Sequence, residues 1–243
     1  MLPAVEHKSR PIIKGKPRKV AVFDVDGTIF RSSLLIEFVD ALWQEGIFPA
    51  NVPSEYNKAL IAWLDRSGSY EDYIHSVVRV FDKNLNGVAY SDFLRIAERV
   101  ALFHQNRTYR FTRDLVRALK KKNYYLLAIS NSPKTILDGF CKKLGFDKVY
   151  GRIYESDAKE ILTGGIVFDD VISDKSKVLL RAVEKENLTL NGSIGVGDSE
   201  GDIPFLKMVE RPICFNPNTV LYKHAKRHGW EVVVERKDVI YKL

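Results

Sequence analysis

The chain has few cysteines and no long apolar segment. Cys141 and Cys214 are the only two cysteines among its 243 residues, too few for a disulfide framework or a four-thiolate zinc site. No run of 18 apolar residues is present that would predict a membrane-spanning helix. The N-terminus also lacks the apolar stretch of a secretory signal. These absences predict a protein of the reducing cytoplasm with no membrane span.

Most of the excess positive charge lies in the first twenty residues. The formal net charge is +7, but residues 1–20 alone carry six basic side chains and one acidic side chain. Residues 1–18 are therefore interpreted as a basic N-terminal tail, whose prolines are typical of a solvated arm. Polyanion binding through this tail is one alternative function, although the rest of the chain gives no indication of nucleic acid as a partner. The sequence does not indicate an oligomeric state.

Short apolar runs alternate with helical patterns in much of the chain. Strands are predicted at residues 20–23, 124–129, 193–196, 212–215 and 230–234. Helices are predicted over 112–122, 133–144 and 174–187, and a glycine-containing hairpin over 151–170. Buried strands that alternate with helices predict an α/β protein with a doubly wound, Rossmann-like parallel sheet.

Residues 32–105 do not follow this alternation. They contain four amphipathic helical patterns and no strand pattern, and Ser69 and Asp72 have the spacing of a capping box before the third helix. A block of helices between the first two strands of a sheet predicts an inserted domain. The domain prediction is therefore a catalytic core of residues 19–30 and 106–243, with a helical cap over 31–105.

Acidic side chains follow two of the predicted strands. Asp24 and Asp26 come directly after the first strand, and Asp198 and Asp202 follow a later strand. Ligands of doubly wound sheets bind beyond the carboxyl ends of the strands. Carboxylates buried at that edge need a compensating charge, and oxygen-only ligands favour Mg²⁺ over zinc.

A magnesium ion beside a free carboxylate suits phosphoryl transfer, because a carboxylate can attack phosphorus while the metal neutralises phosphate charge. Lys175 could balance further phosphate charge, with Lys177 as an alternative. Ser130 and Asn131 precede a predicted helix, and the first turn of a helix offers backbone N–H groups to a phosphate. These three residues are the candidate phosphate-binding group.

Four segments together resemble the motifs of the haloacid dehalogenase superfamily, in the same order along the chain. They are Asp24 to Thr28, Ser130 with Asn131, Lys175, and Gly197 to Asp202. The helical block after the first motif is similar to the type-1 cap of the phosphoserine-phosphatase-like branch. An aspartate two residues after the first one is typical of the phosphatases of this superfamily.

The resemblance implies a role for each matching residue. Asp24 would be the nucleophile and Asp26 the general acid and base. Asp24, the Asp26 carbonyl and Asp198 would bind Mg²⁺, with Asp202 supporting these ligands. Ser130 and Lys175 would hold the phosphate of a small phosphate ester. A phosphotransferase or mutase that uses the same aspartyl-phosphate is the alternative enzyme function.

The sequence departs from the phosphoserine-phosphatase pattern where the substrate is recognised. The position that aligns with the substrate-binding glutamate of that branch is Ser33, and the nearest acidic residue is Glu37. Arg31 places a positive charge just after the first motif. These three residues are the candidate determinants of substrate specificity, and they make phosphoserine a doubtful substrate.

Overall fold

The computed structural model describes residues 15–243, and these form a three-layer α/β structure. The predicted polyanion-binding tail lies almost entirely outside the described residues. The strands are β1 (Arg18–Phe23), β2 (Tyr125–Pro133), β3 (Lys148–Ser156), β4 (Leu162–Val167), β5 (Leu188–Gly197), β6 (Arg211–Phe215), β7 (Glu231–Arg236) and β8 (Val239–Lys242). Among the described residues, no helix is long and apolar enough to cross a bilayer.

The helices cover both faces of the sheet and form a block of four between β1 and β2. They are α1 (Leu34–Gln44), α2 (Val52–Leu64), α3 (Tyr70–Leu85), α4 (Tyr90–His104), α5 (Arg110–Lys121), α6 (Lys134–Leu144), α7 (Asp169–Ile172), α8 (Lys175–Lys185), α9 (Ile203–Leu206) and α10 (Thr219–His228). A short 3-10 turn, Glu200–Asp202, precedes α9.

The eight strands form one sheet in the order β4-β3-β2-β1-β5-β6-β7-β8. The six strands from β3 to β7 in this order pair in parallel, whereas β4 and β8 pair antiparallel at the two edges. The predicted doubly wound sheet and the predicted hairpin, now β3 and β4, are confirmed. The sequence interpretation missed β8, a short edge strand whose residues are mostly exposed.

The central strand β1 is buried on both faces. Ala21 and Phe23 contribute to one apolar cluster, and Val20 and Val22 contribute to the cluster on the opposite face. Alternate residues of a strand point to opposite faces, so a strand covered on both sides is an uninterrupted apolar run. This explains why the strand pattern was clear in the sequence.

The four helices α1–α4, here called the helical insert, are packed around phenylalanines. Phe38 and Phe93 meet edge to face with ring centroids 4.9 Å apart, and Phe81 lies within 6.3 Å of both. Half of the predicted capping box at the start of α3 is present: Ser69 Oγ accepts a hydrogen bond from Asp72 N at 3.0 Å, and the Asp72 carboxylate accepts from the Ser69 hydroxyl at 2.7 Å. The apolar cluster of the insert is continuous with the cluster on one face of the sheet.

The helical insert is joined to the sheet at a second place besides its two connecting segments. At the connecting segments, Arg31 N donates to Arg107 O at 3.0 Å. Farther away, the α3–α4 connection pairs with the turn of the β3–β4 hairpin: Gly87 N donates to Leu162 O, Leu162 N to Val88 O and Tyr90 N to Glu160 O, all within 2.9 Å. We call this pairing of residues 87–90 with 160–162 the hairpin clasp.

Candidate active site

The carboxyl ends of three adjacent strands bring the predicted site residues together. β1 lies between β2 and β5, and Phe23 is in register with Ala128 on one side and Val196 on the other. Asp24 follows β1 at once, and its N–H donates to Val196 O at 2.9 Å. Asp198 follows β5, and Ser130 lies near the end of β2. The parallel pairing of these strands therefore places Asp24, Ser130 and Asp198 close together, although they are far apart in sequence.

Three carboxylates converge at this edge. One oxygen each of Asp24, Asp198 and Asp202 lies within 4.8 Å of the others, an arrangement that could hold a metal ion. Lys175, the first residue of α8, joins two of them: its Nζ lies 2.6 Å from Asp24 Oδ1 and 2.6 Å from Asp202 Oδ1. Lys175 is buried, so these contacts are shielded from water. Lys177, the alternative lysine, is exposed and contacts the carbonyl of Asp170 instead.

The three carboxylates of the site carry more negative charge than the single ammonium of Lys175 can balance. Burial raises the pKa of Asp24 to about 7, against the opposing effect of the Lys175 charge. The pKa of Asp198 is also raised well above its usual range, first by burial and then by the charge of Asp24. Burial by itself would lower the pKa of Lys175, but the charges of Asp202 and Asp24 outweigh it and raise that pKa. The site therefore favours additional positive charge.

The two oxygens of Asp24 have different surroundings. Oδ1 is bound by Lys175, whereas Oδ2 is buried and has no hydrogen-bond partner among residues 15–243. A buried oxygen without a partner is costly and needs an explanation. Asp202 cannot supply a free oxygen in its place, since its Oδ1 accepts from Lys175 and its Oδ2 accepts from the N–H groups of Asp198 and Ser199. An oxygen-only donor set with one unsatisfied carboxylate oxygen fits a hard divalent cation.

Gly27 is required by this geometry. It has φ of +78°, and a Cβ at this position would lie 2.1 Å from Asp198 Oδ2. The Asp198 carboxylate can therefore approach the backbone of the β1 loop only because residue 27 has no side chain. Thr28 Oγ1 donates to the other oxygen, Asp198 Oδ1, at 3.2 Å.

The carboxylate of Asp26 lies apart from the other three and faces the end of β2. Its Oδ2 accepts hydrogen bonds from Ser130 Oγ at 2.6 Å and Ser132 Oγ at 2.8 Å. Its Oδ1 accepts from the N–H of Leu34, the first residue of α1, at 2.5 Å. Three donors therefore fix the orientation of Asp26, and one of them belongs to the helical insert.

Ser132 is a site residue that the sequence interpretation missed. It is buried, and it shares Asp26 Oδ2 with Ser130. The spacing of two residues between the serines was a usable signal, because residues i and i+2 of a strand lie on the same face. Asn131 lies between them and is exposed. Ser130, predicted to contact phosphate, directs its hydroxyl to Asp26 in this structure.

The predicted specificity residues have three different environments. Glu37 already has partners within the insert and its connecting segment: it accepts from Ser32 Oγ at 3.0 Å and Arg107 Nη1 at 2.6 Å, and it lies 3.2 Å from His104 Nε2. Ser33 is buried at the start of α1. Arg31 is exposed. Of these three side chains, Arg31 is the one whose charge has no salt-bridge partner in the described part of the chain.

Tyr70 is a second residue that the sequence interpretation missed. It is the first residue of α3, its ring meets Trp63 edge to face at 5.3 Å, and it is 39% exposed. Burial raises the pKa of its phenol, and the charges of Asp26 and Asp198 raise it further. The start of α3 therefore lies within electrostatic reach of the carboxylates. The capping box predicted where α3 begins, but no local pattern indicates what its first residue faces.

The chain is similar in sequence to phosphatases of other organisms. A phosphoserine phosphatase of Archaeoglobus fulgidus is 25% identical over 209 residues, which cover 85% of this chain and 55% of that protein. This chain thus spans little more than half of that relative. A histidinol-phosphatase of Neisseria meningitidis is 23% identical over 228 residues, covering 89% of this chain and 98% of the relative.

A solved structure described as a phospho-aspartyl intermediate analogue of phosphoserine phosphatase shares the fold. Its TM-score is 0.62 at 18% identity, and the match covers 92% of this chain and 96% of that one. The family model of the haloacid dehalogenase-like hydrolases matches residues 21–207, a range that includes all four sequence motifs. The chain therefore belongs to the haloacid dehalogenase-like hydrolase family of enzymes.

Proposed function

We propose that this protein is a Mg²⁺-dependent phosphomonoesterase that hydrolyses a small phosphate ester through a phosphorylated Asp24. The observation that carries this proposal is the asymmetry of the Asp24 carboxylate. Lys175 fixes one oxygen at 2.6 Å, while the second is buried without a partner beside Asp198. A carboxylate held in one orientation next to a cation-favouring site suits nucleophilic attack on phosphorus.

The metal would be held by the Asp24 carboxylate, the backbone carbonyl of Asp26 and the Asp198 carboxylate. Asp202 would support these ligands, because it binds the N–H of Asp198 and the ammonium of Lys175. A bound magnesium would supply positive charge against the phosphate oxygens. Ser130, Asn131 and Lys175 would contact the phosphate, at the end of β2 and the start of α6 and α8.

Asp24 and Asp26 would divide the reaction between them. An oxygen of Asp24 attacks phosphorus, and the bond from phosphorus to the ester oxygen breaks. A protonated Asp26 gives its proton to the departing oxygen and becomes a carboxylate. That carboxylate then takes a proton from a water molecule whose oxygen attacks the same phosphorus. Inorganic phosphate leaves, and Asp24 returns as a free carboxylate.

The helical insert would act as the cap predicted over residues 31–105, covering a core of residues 19–30 and 106–243. Tyr70 supports this role, because its phenol is within electrostatic reach of Asp26 and Asp198. A covered site excludes bulk water and suits a small substrate. The relatives are named for two different substrates, phosphoserine and histidinol phosphate, so their names support a small phosphate ester without selecting one.

Phosphate release from 4-nitrophenyl phosphate tests this function. We expect turnover with Mg²⁺, none after EDTA treatment, and none for Asp24→Asn. Asp114→Asn is the matched control, since Asp114 lies on α5 in an exposed salt bridge with Arg113. After acid quenching of the reaction, phosphorylated protein should be detected for wild type and should not be detected for the Asp24→Asn variant. Full activity of either Asp24→Asn or the EDTA-treated protein would refute the proposal.

A second assay adds an alcohol to the reaction and measures its phosphorylated product. Transfer of the phosphoryl group to the alcohol instead of to water would indicate a phosphotransferase.

A further inference from the structure

We propose that Arg31 binds an anionic group on the leaving alcohol, so that the preferred substrate is a phosphate ester bearing a carboxylate or a second phosphate. This inference rests on the proposed function and adds the chemical class of the substrate.

Arg31 lies on the loop that carries the candidate nucleophile. The N–H of Gly27 is 3.0 Å from both Phe30 O and Ser32 O, the carbonyls on either side of Arg31. Gly27 in turn packs directly against the Asp198 carboxylate. The backbone of Arg31 is therefore one residue away from groups that contact the site, and a long arginine side chain reaches several ångströms farther.

The charge of Arg31 is available to a ligand. The side chain is exposed, and no carboxylate within residues 15–243 forms a salt bridge with it. Its charge is felt near the site: burial raises the pKa of the Tyr109 phenol, the Asp198 charge adds to that rise, and the Arg31 charge opposes it. Arg31 and Asp198 thus act on the same phenol.

The acidic groups that could attract a cationic substrate already have partners. Glu37 is bound by Arg107 and lies beside His104. Glu71 is 3.5 Å from the His75 imidazole, and Glu200 accepts a hydrogen bond from the Asn218 amide. A guanidinium that has no salt bridge among residues 15–243, near a Glu37 carboxylate that Arg107 already binds, favours an anionic leaving group over a cationic one.

Three phenyl phosphates that differ in the charge of the para substituent test the inference. They carry a neutral nitro group, an anionic carboxylate and a cationic trimethylammonium group. Each variant is compared with wild type on the same substrate, so that differences in leaving-group reactivity cancel. We expect Arg31→Gln to lower kcat/KM for the carboxylate ester about tenfold, mainly through KM, and to change the nitro ester less than about twofold.

Charge reversal and charge retention complete the series. Arg31→Glu should weaken the carboxylate ester further and improve the trimethylammonium ester, whereas Arg31→Lys should keep most of the preference. Arg117→Gln is the matched control, because Arg117 is an exposed arginine of α5 beside Asp114. Equal losses on all three esters would overturn the inference and assign Arg31 to the common phosphate. No change on any ester would also overturn it.

Binding without turnover separates this inference from the proposed function. Calorimetry measures the affinity of benzylphosphonate and of 4-carboxybenzylphosphonate, which cannot be hydrolysed. We expect wild type to bind the carboxylated compound about tenfold more tightly and Arg31→Gln to bind the two equally. If wild type hydrolyses none of the esters, the proposed function fails, while the phosphonate comparison still supports or overturns the role of Arg31.

Discussion

The ammonium of Lys175 lies 2.6 Å from Oδ1 of Asp24, in a buried contact between residues 151 positions apart. The same nitrogen is 2.6 Å from Asp202 Oδ1. One cation thus separates two buried carboxylates, one proposed as the nucleophile and the other as its support. Removal of that cation would leave both carboxylates facing each other without compensation.

Lys175→Met should therefore destabilise the protein strongly. We expect the free energy of unfolding to fall by about 3 kcal/mol, because the substitution leaves the buried carboxylates of Asp24 and Asp202 without a cationic partner. Denaturant titration of the metal-free protein measures this loss. Lys177→Met is the control: Lys177 lies two residues away, is exposed and contacts only a carbonyl, so its loss should change stability by less than about 0.5 kcal/mol. Equal effects of the two substitutions would contradict the buried ion pairs.

Asp24→Asn should make the metal-free protein more stable at neutral and alkaline pH. The pKa of Asp24 is raised to about 7 in the folded protein, from an ordinary value of 3.8. Between these values the folded state binds more protons than the unfolded state, so this group lowers stability as the pH rises through that window. The asparagine variant lacks this penalty.

Thermal unfolding in EDTA measures this difference. We expect Asp24→Asn to melt about 3 °C above wild type at about pH 8, and the difference to shrink toward about pH 4. Asp114→Asn should not gain stability, because salt bridging to Arg113 lowers the pKa of Asp114. With Mg²⁺ added, wild type should gain thermal stability and Asp24→Asn should gain little. An asparagine variant that melts below wild type at about pH 8 would contradict this expectation.

Ser132→Ala should impair catalysis without unfolding the protein. Asp26 Oδ2 accepts from both Ser130 and Ser132, so Oδ2 keeps one donor after the substitution and Asp26 loses part of its orientation. We expect kcat for 4-nitrophenyl phosphate to fall about tenfold. Ser76→Ala is the control, since Ser76 is also buried but bonds only to the Tyr73 carbonyl within α3. Unchanged kcat for Ser132→Ala would mean that Ser130 and Leu34 suffice to hold Asp26.

Gly27→Ala should weaken metal binding more than its backbone strain explains. Both Gly27 and Gly87 have positive φ, +78° and +90°, but only at Gly27 would a Cβ meet another atom, Asp198 Oδ2. Gly87→Ala therefore measures the strain alone, about 1 kcal/mol. Isothermal calorimetry should show at least a tenfold loss of Mg²⁺ affinity for Gly27→Ala and little change for Gly87→Ala. Similar affinities for the two variants would show that Asp198 can move aside.

The sequence predicted the elements and the edge of the sheet where the site lies, because both depend on local pattern. Strands buried on both faces are apolar runs, and Asp24 and Asp198 come directly after two of them. The capping box at Ser69 likewise predicted the start of α3 from four neighbouring residues.

The sequence could not predict contacts that depend on how distant elements meet. Glu37 was a candidate for substrate recognition by its position, yet Arg107, seventy residues later, binds its carboxylate. Tyr70 lies within electrostatic reach of Asp26 and Asp198 only because of where α3 is placed by its packing. The edge strand β8 has no continuous apolar run that a sequence pattern could reveal. It is part of the sheet because it pairs with β7.

The hairpin clasp has a consequence for how a substrate enters. Residues 87–90 are bonded to a hairpin of the sheet whose central strand β1 leads into Asp24, so the four helices cannot swing away as one lid while those bonds persist. The exposed turn between α2 and α3, residues 65–69, lies far from the clasp in sequence and leads directly to Tyr70. Any opening of the site must therefore come from a movement smaller than that of the whole insert, and the turn of residues 65–69 is a candidate for that movement. A substrate admitted in this way has to be small.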